Sequence, residues 1–137
     1  MPVRAKVLEY EAGVDRKGAI SAHGGAAIAV PAEVEPEHLI LAALVRCTLA
    51  SLRFHARRLG AEVSGSGTAH GVVTRRESDG RYAFVEIRAE LDVEIQPAPE
   101  LPQALLEKAV RDCFIGASLT VKPAYRWTVN GAPVQTR

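Results

Sequence analysis

Apolar and polar positions alternate with a period of two over "VRAKVLEYE", residues 3–11, which predicts a strand. "GVDRKG" then predicts a turn, and "AISAH" and "AAIAV" on either side of "GG" predict a hairpin, so the N-terminal part reads as a small antiparallel sheet. The period changes at "PEHLILAALVRCTLASLRF", an apolar run with helical end signals. Pro36 suits the first helical position, Glu37 the first turn, Arg57 and Arg58 the last, and Gly60 the left-handed cap, which predicts one helix over residues 36–59. Alternation resumes in "EVSGSGTAHGVVTRR" and "RYAFVEIRAELDVEI", two longer strands about the turn "ESDG". In "PAPELPQALLEKAVRDC", Leu101, Leu105, Ala109 and Cys113, with Leu106 and Val110 beside them, form one face of a second helix. "YRWTVNG" closes the chain as a short strand, with Trp127 in the core. The expected fold is α+β: an antiparallel sheet packed on a long central apolar helix plus a second helix.

The long helix is apolar nearly all round, since Leu39, Ile40, Leu44, Val45, Leu49, Leu52 and Phe54 cannot share one narrow stripe. A single sheet covers one side, and the simplest cover for the other is a second copy, so a homodimer is expected through this helix. A bilayer is the competing cover, but spanning it takes about 20 mainly apolar residues. Here the run from Leu39 stops at Arg46, and His55, Arg57 and Arg58 follow, which predicts no membrane partner. At 137 residues the chain is expected to be a single domain over residues 1–137. A net charge of +1 and 24% charged residues give no footprint for nucleic acid. The N-terminus lacks the pattern of a signal peptide, so the expected location is cytoplasmic.

Two cysteines, Cys47 and Cys113, lie far apart with no C-x-x-C and no nearby pair of histidines, so no metal is expected. His23, His38, His55 and His70 are scattered and read as exposed or satisfied surface groups, and no G-x-S-x-G elbow supports a hydrolase. A free cysteine ordinarily packs as a small hydrophobe. A guanidinium beside it changes that, because it favours the reactive thiolate. Arg46 is adjacent to Cys47, yet consecutive helix residues point about 100° apart. It can pair with Asp112 or Glu107, face solvent, or add a second positive charge near the thiol. On the residues alone, Glu37 is a helix-start charge and Arg16 a turn residue.

"PEHLILAALVRCTLASLRFHARRLG", with a Pro-Glu-x-Leu opening and a cysteine ten residues after the glutamate, resembles the signature helix of the OsmC/Ohr family, the osmotically inducible and organic hydroperoxide resistance proteins. "KAVRDCFIGASLTV" is similar to that family's second cysteine motif, and "GVDRKG" to the turn that carries its active-site arginine. The resemblance covers nearly the whole chain. It departs at Phe114, where proline commonly follows the second cysteine, at Gly116, where serine is frequent, and at Arg46, where small residues are usual.

The resemblance implies an OsmC-like intertwined homodimer and a thiol-dependent peroxidase acting on organic hydroperoxides or hydrogen peroxide in oxidative-stress defence. Cys47 would attack the peroxide and Cys113 would resolve the sulfenic acid as a disulfide. Arg16 would lower the Cys47 pKa and orient the peroxide, and Glu37 would hold Arg16 by a bidentate salt bridge. No bound cofactor is implied, only an external dithiol reductant of lipoyl type. On one straight helix Glu37 and Cys47 are about 15 Å apart along the axis and about 80° apart in azimuth. Either the first turn bends or the site joins Glu37 of one subunit to Cys47 of the other, and the expectation is a site at the subunit interface. The alternative is a non-catalytic OsmC-like dimer that binds a small hydrophobic ligand.

Overall fold

Asp15 organises the N-terminal turn. In the computed structural model, which describes residues 4–136, its carboxylate accepts hydrogen bonds from the backbone N–H of Lys17 and of Ala19, both at 2.9 Å. Gly18 supplies the left-handed residue at φ 85°. This turn joins β1 (Ala12–Val14) to β2 (Ile20–Ala22), which pair antiparallel with Val14 opposite Ile20. The hairpin expected beyond β2 shrinks to one antiparallel bridge, Ile20 to Ile28. The strand expected over residues 3–11 is not formed: residues 4–11 join no strand among the described residues, though the Glu11 carbonyl accepts the His23 N–H at 2.9 Å, and Val3 lies outside them. Val7, Leu8 and Tyr10 are exposed there, because alternation prepares a strand face but a partner strand must cover it. These elements belong to the first of two compact units, which ends at Glu35.

The second unit begins with α1 (Pro36–Arg58), the helix the sequence predicts to within a residue. By length and composition it could cross a membrane. One face of it packs into the core, where Leu44, Leu52 and Ala56 are fully buried. Leu39 and Phe54 are exposed, so the all-round apolar helix has one uncovered side within this chain.

β3 (Glu62–Arg75) and β4 (Tyr82–Gln96) form the long hairpin, with a bulge at Val72/Val73. The turn is held by Asp79, which pairs with the Arg76 guanidinium and accepts from the Arg81 N–H at 3.1 Å. In β4 the alternation is clean: Ile87, Ala89, Leu91, Val93 and Ile95 are buried and the residues between them exposed.

The chain then crosses over through α2 (Pro102–Arg111) and α3 (Phe114–Ser118) before β5 (Ala124–Val129) pairs with β4 in parallel. β6 (Ala132–Val134) turns back antiparallel, giving the order β3-β4-β5-β6. The sheet is therefore mixed, not purely antiparallel. A parallel pair needs a crossover of about a dozen residues or more, and the segment holding α2 and α3 provides it. Leu49 and Leu52 of α1, Leu105 and Leu106 of α2, and Trp127 of β5 share the main core with the inward row of β4.

α1 approaches β3 closely because glycines leave room. A Cβ on Gly65 would lie 3.3 Å from Leu49 Cδ2, one on Gly67 3.1 Å from Val45 Cγ1, and one on Gly71 3.3 Å from Leu41 Cδ2. Leu41, Val45 and Leu49 form one i, i+4, i+8 ridge, and it runs along this glycine furrow.

A methyl group at Gly67 would also meet the backbone oxygen of Glu90 at 2.7 Å, which cannot rotate away. Alanine regains about 0.5–1 kcal/mol of strand propensity, whereas overpacking costs about 1–3 kcal/mol. Gly67→Ala should therefore lower the urea midpoint; an unchanged or higher midpoint would show that the helix does not depend on this furrow.

Candidate active site

Cys47 lies about 160° around α1 from Val45 and so faces away from the glycine furrow. It packs on Cys113, which follows the end of α2 and caps the start of α3. Both are free thiols. Cys113 is fully buried with Leu44 and Ile87, while Cys47 is partly exposed and packs with Leu41, Phe84 and Ile115 against that cluster. The crossover brings these two distant cysteines together.

The surroundings of the two sulfurs differ. The Cys113 sulfur accepts the Gly116 N–H and the Thr48 hydroxyl, each at 3.4 Å. Thr48 is wholly buried and also donates to the Leu44 carbonyl at 2.8 Å. Burial pushes the phenol of Tyr125 up, and the Thr48 hydroxyl acts against that shift. For Cys47, burial is the largest influence and pushes the thiol up; Cys113, by hydrogen bonding and by charge, pushes it the same way. The backbone N–H groups of Ile115 and Phe114 oppose this by donating towards the sulfur. Phe114 can do so because it stands where a proline would offer no N–H.

The other expected site residues are placed differently. Glu37 is exposed in the first turn of α1, and the helix runs unbroken from there to Cys47, about 15 Å along its axis. Arg16 is exposed at the β1–β2 turn, in the N-terminal unit. Of Arg46's possible positions, solvent is the one observed: it is exposed on an open groove of 580 Å³ that also involves Val45, Leu49 and Gly67. Asp112 is taken by Arg111 at 2.9 Å and by His55 at 2.7 Å.

Thr48, Tyr125 and the His55–Asp112 pair are the neighbours that sequence reasoning passed over. His55 is satisfied, as expected, but 11% exposed and not at the surface. The signal for Thr48 was its polar side chain on a helix face that otherwise reads Leu44, Leu52. Arg111 above all, and then His55, hold the Asp112 carboxyl down at about 2. A depressed carboxylate contributes stability above its unfolded pKa of about 3.9. That contribution is lost as the pH falls towards 2, and it is small because the group is close to solvent.

A family model described as "OsmC-like protein" matches residues 30–129. No curated protein sequence matches the chain significantly. Among solved structures, an OsmC-like protein of unknown function from Vibrio cholerae has a TM-score of 0.74 at 21% identity, over 88% of this chain and 99% of that one. An organic hydroperoxide resistance protein from Elizabethkingia anophelis has 0.63 at 19%, over 93% and 100%. The organic hydroperoxide resistance protein of Bacillus subtilis has 0.56 at 20%, over 89% and 96%. At these identities the likeness is one of fold.

Since Cys113 raises the Cys47 thiol, Cys113→Ala should shift the pH midpoint of Cys47 alkylation downward, followed by peptide mapping after iodoacetamide treatment. A midpoint that stays or rises would contradict the contact between the two sulfurs.

Proposed function

The chain belongs to the OsmC-like family, and on that footing we propose that it is a thiol-dependent peroxidase that reduces organic hydroperoxides. The observation that carries this reading is the packing of the two free thiols, one partly exposed and one buried, in an apolar setting. The Cys47 thiolate attacks the O–O bond, the alcohol departs with a proton, and Cys47 becomes a sulfenic acid. Cys113 then attacks that sulfur, water leaves, and a disulfide remains for an external dithiol of lipoyl type to reduce. Apolar walls suit an alkyl hydroperoxide better than a polar one.

Burial alone leaves Cys47 a poor thiolate, so the reaction needs a cation. Arg16 is that cation in this reading, held by Glu37. Ten residues of helix separate Glu37 from Cys47, which favours a site where Glu37 of one subunit serves Cys47 of the other. A homodimer also suits the exposed Leu39 and Phe54 and the outer edge of β3, a 14-residue strand whose partner among the described residues is β4 on one side alone. The location in this reading is the cytoplasm, with no nucleic-acid or membrane partner. The raised Cys47 thiol favours one competitor, a non-catalytic dimer that binds a small hydrophobic ligand.

Turnover of cumene hydroperoxide with dihydrolipoamide separates the two. The peroxidase reading predicts that wild type turns over and Cys47→Ser does not. It also predicts that Arg16→Ala loses at least about tenfold at neutral pH, one pKa unit of thiolate. That deficit should shrink as the pH rises. A wild type without turnover, or a Cys47→Ser variant that keeps it, would leave the ligand-binding reading in place.

A further inference from the structure

Cys113 is an unusual packing cysteine, because its fully buried sulfur has two donors within reach, the Thr48 hydroxyl and the Gly116 N–H, each at 3.4 Å. A sulfur that only fills space needs none. One of the donors, Thr48, sits directly after Cys47 on α1, so the two neighbours on one helix turn each face the same Cys113 sulfur. The Thr48 hydroxyl has one proton and two acceptors in reach, the Leu44 carbonyl and Cys113. When Cys113 is a neutral thiol, the carbonyl is the better acceptor. When Cys113 carries a negative charge, the sulfur is, since hydrogen bonds to charged groups are about twice as strong. The hydroxyl can serve either state by a rotation about one bond, with no buried group left unpaired.

We propose that Thr48 is a positioning residue that stabilises Cys113 as the leaving thiolate, so that an external thiol opens the Cys47–Cys113 disulfide at the Cys47 sulfur. The inference rests on the two-cysteine reading above. In the step, the incoming thiolate forms a bond to Cys47 Sγ, the Sγ–Sγ bond breaks, and its electron pair passes to Cys113. Thr48 and the Gly116 N–H hold that charge until water protonates it. The second thiol of the dithiol then attacks its own bridged sulfur, releases Cys47, and leaves as the cyclic disulfide, two electrons poorer. Access agrees with this order: Cys47 is partly exposed and Cys113 is fully buried. Hydrogen bonds that strengthen as charge develops on the departing sulfur speed exchange.

The test begins with the disulfide made by diamide, which needs no peroxidase activity. Glutathione is added as a monothiol, the freed thiol is blocked with N-ethylmaleimide, and the labels are mapped by mass spectrometry. The expected result is glutathione on Cys47 and maleimide on Cys113. The opposite labelling overturns the inference while leaving the two-cysteine reading intact, and failure of diamide to join the sulfurs overturns both. Thr48→Val should slow opening by glutathione about tenfold, the loss of one hydrogen bond to a charged group. Thr48→Ser should restore most of the rate. Equal rates in the valine and serine variants would remove Thr48 from the step.

Discussion

The seating of α1 in the glycine furrow of β3 is the constraint on which the arrangement depends. Leu41, Val45 and Leu49 can lie against the strand only because positions 71, 67 and 65 lack side chains. With that ridge turned to β3, helical geometry alone directs Leu44, Thr48 and Leu52 inward and Cys47 to the far side. The fully buried Leu44 and Leu52 each contribute about 1.5–3 kcal/mol of apolar burial. A buried hydroxyl at Thr48 would cost about 1–3 kcal/mol if unpaired. The bonds to Leu44 and Cys113 offset that cost and tie the helix to the crossover.

The parallel pairing of β4 with β5 completes the juxtaposition. It obliges the chain to cross back over the sheet, and α2 and α3 on that crossover carry Cys113 to α1. Two opposed influences then act on Cys47. Burial and the neighbouring thiol favour the neutral form, while two backbone N–H groups favour the thiolate, and burial prevails within the second unit. In the proposed peroxidase a thiol so balanced needs a cation from elsewhere, and the family resemblance gives that part to Arg16. Cys113, in contrast, is supplied with donors inside its own unit.

Where local chemistry decides the structure, the sequence was readable. Pro36 and Gly60 bracket α1, and the strict alternation from Val85 to Ile95 made β4 and its buried row plain. The turn at Asp15 to Gly18 was legible for the same reason. What depended on a distant partner was not. Residues 4–11 have the pattern of a strand but no strand beside them among the described residues, and "YRWTVNG" gave no sign that it would run parallel to β4. The five residues of α3 are too few to show a helical period. The cysteines could be named as a pair only through the family motifs, since nothing local links positions 47 and 113. Thr48 and His55 escaped notice because their partners, Cys113 and Asp112, come from the crossover.

The central claim is that the two sulfurs exchange electrons with each other once a peroxide has reached Cys47. Intact mass under non-reducing conditions, after a single equivalent of cumene hydroperoxide, tests it most directly in wild type and Cys113→Ser. The account predicts that wild type loses two hydrogens per chain, whereas Cys113→Ser gains one oxygen. Unchanged masses and fully titratable thiols in both proteins would contradict it and return Cys47 and Cys113 to the role of packing residues.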